Sequence, residues 1–284
     1  MKNLSFYFKK GTTLAKMVMK GKSFFTKMLL GLYLILSTFG KLFFITRPIF
    51  IIADNNLAMM IVEGHDFELN KLFEGINSKK RYSSVLLSTL FIEGIFLAAT
   101  LVFVVPYIIW AAIPPLYNLM VSPYIFVSVF SFAVSILLLV LTLTYSPLGF
   151  IACKGTDLNV GDLLFLSKEG SANAKGKVFG LNFVHDLVIS LVLAVIILGA
   201  YFVALYVRDD YGEVYVFTNF IVLGLFIILA FVDIFVLSFF RLSLIISMYS
   251  LFYDNVEAKH IVVARRGTKG DEFIPLFSDD KEKI

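Results

Sequence analysis

Long apolar runs alternate along the chain with short polar connections that carry most of the lysines. The apolar blocks cover roughly residues 24–61, 82–113, 124–152, 178–207 and 215–249. A helix rising about 1.5 Å per residue needs about 20 apolar residues to cross a hydrocarbon layer of about 30 Å. The last four blocks meet that length. The first is interrupted by Gly40-Lys41, Arg47-Pro48 and Asp54-Asn55-Asn56, so it reads as one long span or two short ones. Ile113-Pro114-Pro115 ends the second block, because proline removes a donor and clashes with the preceding turn. The second and third blocks then form a hairpin, and the fourth and fifth form another around Arg208-Asp209-Asp210-Tyr211-Gly212-Glu213.

Lysine and arginine in short loops set orientation, while acidic residues contribute little. The linkers at 114–123 and 209–213 have neither and belong outside. Lys71, Lys79, Lys80 and Arg81, then Lys154, Lys168, Lys175 and Lys177, then Lys259, Arg265, Arg266 and Lys269 mark three inside segments. The lysine-rich N-terminal arm also belongs inside. An even number of crossings must therefore separate it from the Lys71–Arg81 loop. A hairpin turning near Gly40-Lys41 gives six spans in all, with a re-entrant pair as the rival because its halves are short. Tyr107, Trp110, Tyr117 and Tyr124, and Tyr201, Tyr206, Tyr211 and Tyr215, form aromatic belts around the two outer linkers.

Two segments echo each other. Pro48-Ile49-Phe50-Ile51-Ile52-Ala53 lines up with Pro147-Leu148-Gly149-Phe150-Ile151-Ala152, each placed at or near the inner end of a hairpin. Downstream, Asp66-Phe67, Leu69 and Leu72-Phe73 line up with Asp157-Leu158, Val160 and Leu163-Leu164. In both, apolar residues recur at three- and four-residue intervals behind an aspartate able to cap a helix. The expectation is an internal repeat with a short amphipathic helix on the inner surface in each copy. Tyr249-Ser250-Leu251-Phe252-Tyr253-Asp254 reads as a truncated third copy.

Composition narrows the class. Hydrophobic residues make up 59% and charged ones 16%, with a mean hydropathy of +0.87, beyond what a soluble domain hides. The net charge of +4 is spread over loops and the arm, which argues against a nucleic-acid partner. The single Cys153 excludes an internal disulfide and a multi-thiolate metal site. About 22 lysine-containing residues precede the first apolar run and no small-residue cleavage site follows it, so the arm reads as part of the mature chain. It carries Phe6, Phe8, Leu14, Met17 and Met19 among its lysines, which suits either a helix on anionic lipid or a flexible cytosolic tail.

No P-loop, H-E-x-x-H, G-x-S-x-G or Gly-rich dinucleotide turn occurs, and His65, His185 and His260 are far apart. No catalytic residue, cofactor or metal is expected. The functional signal lies in ionisable residues inside the spans, where a charge costs at least about 2.5–3.5 kcal/mol and usually has a partner. These are Glu93, His185, Asp186, Asp233 and Arg241. Glu93, Asp186 and Arg241 count out at roughly 12–17 Å from the inner ends, a shared depth at which they could meet. The group reads as a structural ion-pair cluster, a proton or ion pathway, or side chains reaching water. His185 and Asp186 point about 100° apart as neighbours on a helix and are poorly placed as a dyad. Lys168, Lys175 and Lys177 serve either as contacts to anionic headgroups or as simple topology markers.

Met19-Lys20-Gly21-Lys22, Leu72-Phe73-Glu74-Gly75-Ile76, Ser167-Lys168-Glu169-Gly170 with Lys175-Gly176-Lys177, and the stretch Arg241–Tyr253 form a recognisable pattern. It resembles a family of uncharacterised bacterial integral membrane proteins, related to the membrane domain of some glycerophosphodiester phosphodiesterases. The resemblance spans most of residues 12–254 and implies a six-span fold without an assigned activity. The chain departs from that family at Asp54-Asn55-Asn56, where glycine and apolar residues are usual, and the phosphodiesterase catalytic domain is missing.

The sequence thus describes an all-α polytopic membrane protein of about six spans in hairpins, with amphipathic interfacial helices on the cytoplasmic side. Its parts are a basic arm (1–22), a helical transmembrane domain (23–254) and a cytoplasmic tail (255–284). Location in the cell membrane with both termini cytoplasmic is expected. So is a non-enzymatic scaffold or accessory role engaging lipid, another membrane protein or a second copy. The alternative is a small transporter or channel using Glu93, Asp186, Asp233 and Arg241.

Overall fold

The computed structural model describes residues 2–43, 45–65, 68–73, 78–112, 123–154, 158–210, 224, 228, 231–258, 262–266 and 271–275. They form helices α1 (Leu4–Gly21), α2 (Phe24–Gly40), α3 (Arg47–Glu63), α4 (Leu69–Leu72), α5 (Lys79–Ala112), α6 (Pro123–Tyr145), α7 (Leu148–Lys154), α8 (Val160–Ser171), α9 (Lys175–Asp210) and α10 (Ser238–Ala258). A π-helical turn, Asp233–Leu237, leads into α10. A small antiparallel ribbon, β1 (Val262–Arg266) with β2 (Asp271–Pro275), follows it.

Four stretches are long and apolar enough to cross a membrane: Lys79–Val102, Ser128–Lys154, Lys175–Gly199 and Phe235–Val256. The first apolar block contributes none of the four. It divides into α2, an apolar helix of 17 residues, and α3, also of 17 residues.

The chain divides into two compact units, Met1–Glu74 with Gly176–Asn255, and Gly75–Lys175 with Val256–Ile284. In the first unit, α1 runs antiparallel along α10. Its buried positions Tyr7, Gly11 and Ala15 recur every four residues and form one stripe. Lys2 and Tyr7 meet Asp254, and Gly11 faces Ser243 and Ser247. The arm is therefore a helix built into the protein on one side rather than a flexible tail. Ser23 caps α2, its hydroxyl accepting from the Thr26 N–H at 3.2 Å. Lys41 ends α2, and Pro48 lies in the first turn of α3, where its missing N–H costs nothing. Gly64 closes α3 at φ 79°, a left-handed conformation open to glycine, and the His65 N–H reaches the Met60 carbonyl at 2.8 Å.

Of the three expected interruptions, Gly40-Lys41 and Arg47-Pro48 bound the turn. Asp54-Asn55-Asn56 instead lies inside α3. These polar residues are tolerated there because each is satisfied: Asn55 Nδ2 donates to the Ile51 carbonyl and Asn56 Nδ2 to the Leu72 carbonyl, both at 2.9 Å. Asp54 is described below.

In the second unit α8 packs against α5, α6 and α7. The helix cap here is Asn159, whose side chain accepts from the Asp162 N–H at 2.9 Å, in place of the expected Asp157. Asp66, Phe67 and Asp157 lie outside the described residues. The two repeat copies diverge. α4 is a single turn without a side-chain cap, whereas α8 has 12 residues. Pro48 opens a 17-residue helix at the α2–α3 turn, at the opposite end of α3 from the Lys71 loop, while Pro147 precedes the 7-residue α7. Tyr249–Asp254 lies within the continuous α10. Of the aromatic belts, Tyr201 is exposed on α9. Pro114-Pro115, the 211–213 part of the acidic linker and the other belt side chains fall outside what is described.

Candidate functional site

The most buried carboxylate described in the first unit lies in the Asp54-Asn55-Asn56 run that reads as an interruption in the sequence. Tyr33, Ser37 and Lys41 recur every four residues and so share one face of α2. All three converge on Asp54 of α3. Its Oδ1 accepts from Tyr33 Oη at 2.7 Å and Ser37 Oγ at 2.8 Å, and its Oδ2 pairs with Lys41 Nζ. Asp54 is 4% exposed. Charge-assisted bonds of this kind are roughly twice as strong as neutral ones, and both carboxylate oxygens are occupied. The chemistry available to this carboxylate is to hold α3 against α2.

A second polar seam joins α1, α9 and α10. His185 is buried, with Nδ1 2.8 Å from the Leu181 carbonyl, which puts the proton on Nδ1, and Nε2 3.5 Å from Ser243 Oγ. Phe8 packs on its ring at 5.4 Å. Ser247 Oγ donates to the Tyr7 carbonyl at 3.0 Å and to the Ser243 carbonyl at 2.7 Å. At the end of the seam, Asp254 accepts from Lys2 Nζ at 3.0 Å and Tyr7 Oη at 3.1 Å. Lys177 Nζ donates to the Lys2 carbonyl at 2.7 Å and lies 5.7 Å above the Tyr7 ring. Burial, then the adjacent Asp254 carboxylate, push the Tyr7 hydroxyl up from 10.0 to about 12.

A group whose pKa is raised on folding contributes stability that is complete below its unfolded value and is lost as pH rises through the folded one. Docking of α1 is therefore expected to be intact below pH 10 and to weaken as pH approaches about 12. Thermal melts across that window, with Tyr7→Phe flattening the slope, check this.

The five charged residues expected within spans are distributed over both units. His185, Asp186, Asp233 and Arg241 belong to the first unit and Glu93 to the second. His185 points into the α1 seam, whereas Asp186 is exposed. Arg241 and Glu93 are half-buried. Asp233 opens the π-helical turn, and its side chain lies outside the description. Among the described residues no three of histidine, cysteine, aspartate and glutamate group as metal ligands. Cys153 is half-buried at the end of α7.

The three lysines expected at headgroups have different local surroundings. Lys168 is exposed on α8, Lys175 Nζ donates to Thr144 Oγ1 at 3.0 Å, and Lys177 is engaged in the α1 clamp. Several residues behind the family resemblance are packing positions: Leu72 is fully buried, Phe73 packs on the first unit's core, and Ser167 and Gly170 are buried in α8. No protein family, characterised protein or solved structure was found to match the chain.

The Asp54 group was missed because its acid sat in a run of three polar residues that resembles a loop. The signal that could have found it is the ladder Tyr33, Ser37 and Lys41 in an otherwise apolar helix, facing a single carboxylate across a turn.

Proposed function

We propose that the chain is a non-enzymatic multi-pass protein of the cell membrane, with cytoplasmic termini, that acts as a scaffold or accessory subunit by engaging anionic lipid through α1. The observation that supports this reading is the way α1 is held. One face is fixed to α10 through Tyr7, Gly11 and Ser247, while Lys9, Lys16 and Lys20 are exposed on the other. At 100° per residue these three lysines fall within about 40° of one another. Phe6 and Met17, 41% and 63% exposed, border one side of the strip. A basic strip edged by exposed apolar side chains suits lipid contact in which the lysine stems lie along acyl chains and their ammonium groups reach anionic headgroups. Because the clamp presets it, the strip meets the surface without an ordering cost.

The test is anionic-lipid affinity of the full chain in nanodiscs, measured as lipid-dependent thermal stabilisation. At about 1 kcal/mol per lysine, the triple change Lys9→Gln, Lys16→Gln and Lys20→Gln is expected to weaken that affinity by about 100-fold. Equal stabilisation of parent and triple variant by anionic lipid would reject the reading.

A further inference from the structure

The α2–α3 hairpin has the surface of something meant to end in oil. Each helix has 17 residues, about 25 Å of rise against about 30 Å of hydrocarbon. The connection between them presents Phe39, Leu42, Phe43 and Ile45 outward, 60%, 74%, 66% and 71% exposed. Its cations are turned back: Lys41 pairs with the buried Asp54, and Arg47 is half-buried at the start of α3. Gly40 lets the turn close, since a Cβ there would overlap the Phe50 ring.

Among the described tip residues, four backbone N–H groups are also paired. The N–H groups of Lys41, Leu42, Phe43 and Arg47 donate to the carbonyls of Ser37, Phe39, Gly40 and Phe43 at 3.1, 3.0, 3.4 and 2.8 Å. Thr46 Oγ1 donates to the Gly40 carbonyl at 2.5 Å. Water asks for none of this. A lysine at an aqueous turn needs no buried counter-ion, and four exposed apolar side chains there forgo about 25 cal/mol for every Å² left wet. Hydrocarbon asks for all of it: paired charge, apolar surface and backbone groups satisfied within the segment.

We propose that α2–α3 is a re-entrant hairpin, which enters the bilayer from the side where α2 begins and α3 ends and turns within the hydrocarbon, its tip in contact with lipid acyl chains. The hairpin then adds no crossing of its own, and the start of α2 and the end of α3 stay on one side.

The experiment uses the full chain with Cys153→Ala, carrying Phe43→Cys or, at a second exposed position, Leu42→Cys. His65→Cys, exposed just beyond α3, is the accessible control. In sealed vesicles of both orientations, an impermeant maleimide is expected to label the His65→Cys control from one side. Phe43→Cys is expected to stay unlabelled from both sides and to react once the membrane is dissolved. A fluorophore attached at position 43 is expected to lose more intensity to nitroxides on lipid chains than to headgroup nitroxides or aqueous iodide. Labelling of position 43 from the side opposite position 65 would establish a full crossing and overturn the proposal. Silence in vesicles without quenching by chain nitroxides would overturn it too, by showing the tip covered by protein.

Discussion

Replacing Asp54 by alanine is expected to destabilise the protein by about 3–5 kcal/mol, the usual cost of removing one partner from a buried ion pair. The change strands three groups at once. Tyr33 and Ser37 lose the acceptor they share, and Lys41 is left beside an apolar turn without its counter-ion. Asp54→Asn keeps one acceptor for the two hydroxyls and is expected to cost less. Asp54→Leu combined with Lys41→Leu, which removes the charges together, is expected to recover much of the loss, because well-packed apolar replacements of buried pairs are often neutral or better. Denaturant or thermal unfolding of the purified protein in detergent measures all three. If Asp54→Ala unfolded within about 0.5 kcal/mol of the parent, as an ordinary surface substitution does, the cluster would not hold the hairpin.

The second large effect is expected at Gly11. An added Cβ would overlap Ser247 Oγ and lie 2.5 Å from the Ser243 carbonyl oxygen, which belongs to the backbone of α10. A side chain can swing away from a methyl group, but a helix backbone cannot. Gly11→Ala should therefore push α1 off α10, at a cost of about 1–3 kcal/mol typical of overpacking. The same change at Gly21, where nothing lies within 4 Å, is the control and should be neutral or slightly stabilising. Limited proteolysis of the N-terminal segment together with melting temperature separates the two. Equal behaviour of Gly11→Ala and Gly21→Ala would show that α1 does not pack through this glycine.

Much of the helical character was legible from hydrophobic periodicity alone. The runs at 79–102, 128–154 and 175–199 are apolar for longer than any soluble helix needs, and the turn at Gly40-Lys41 carried its own punctuation in Arg47-Pro48. What the sequence concealed were contacts between residues far apart. The partner of Tyr7 is Asp254, and no spacing rule joins residues separated by 247 positions. α1 has an amphipathic pattern that fits a lipid surface and a protein groove equally well. Only the match of Gly11 to Ser243 and Ser247 shows that its small-residue face is taken by α10. Depth arithmetic placed Asp186 and Arg241 at similar heights, but height along a helix says nothing of which way a side chain faces, and Asp186 faces out. Asp157 read as a cap by residue type, whereas Asn159 holds the position from which a side chain reaches the third helical N–H.

The first unit is discontinuous, closed by residues 176–255 around helices made from the first 74. Synthesis at about 5–20 residues per second leaves α1 complete for on the order of 10–40 seconds before α10 leaves the ribosome. Throughout that interval Tyr7 and Gly11 lack the α10 residues they pack on. Assembly of this unit must therefore close late and from both ends of the chain, since the face of α1 at Tyr7 and Gly11 meets Ser243, Ser247 and Asp254 only once α10 has been made.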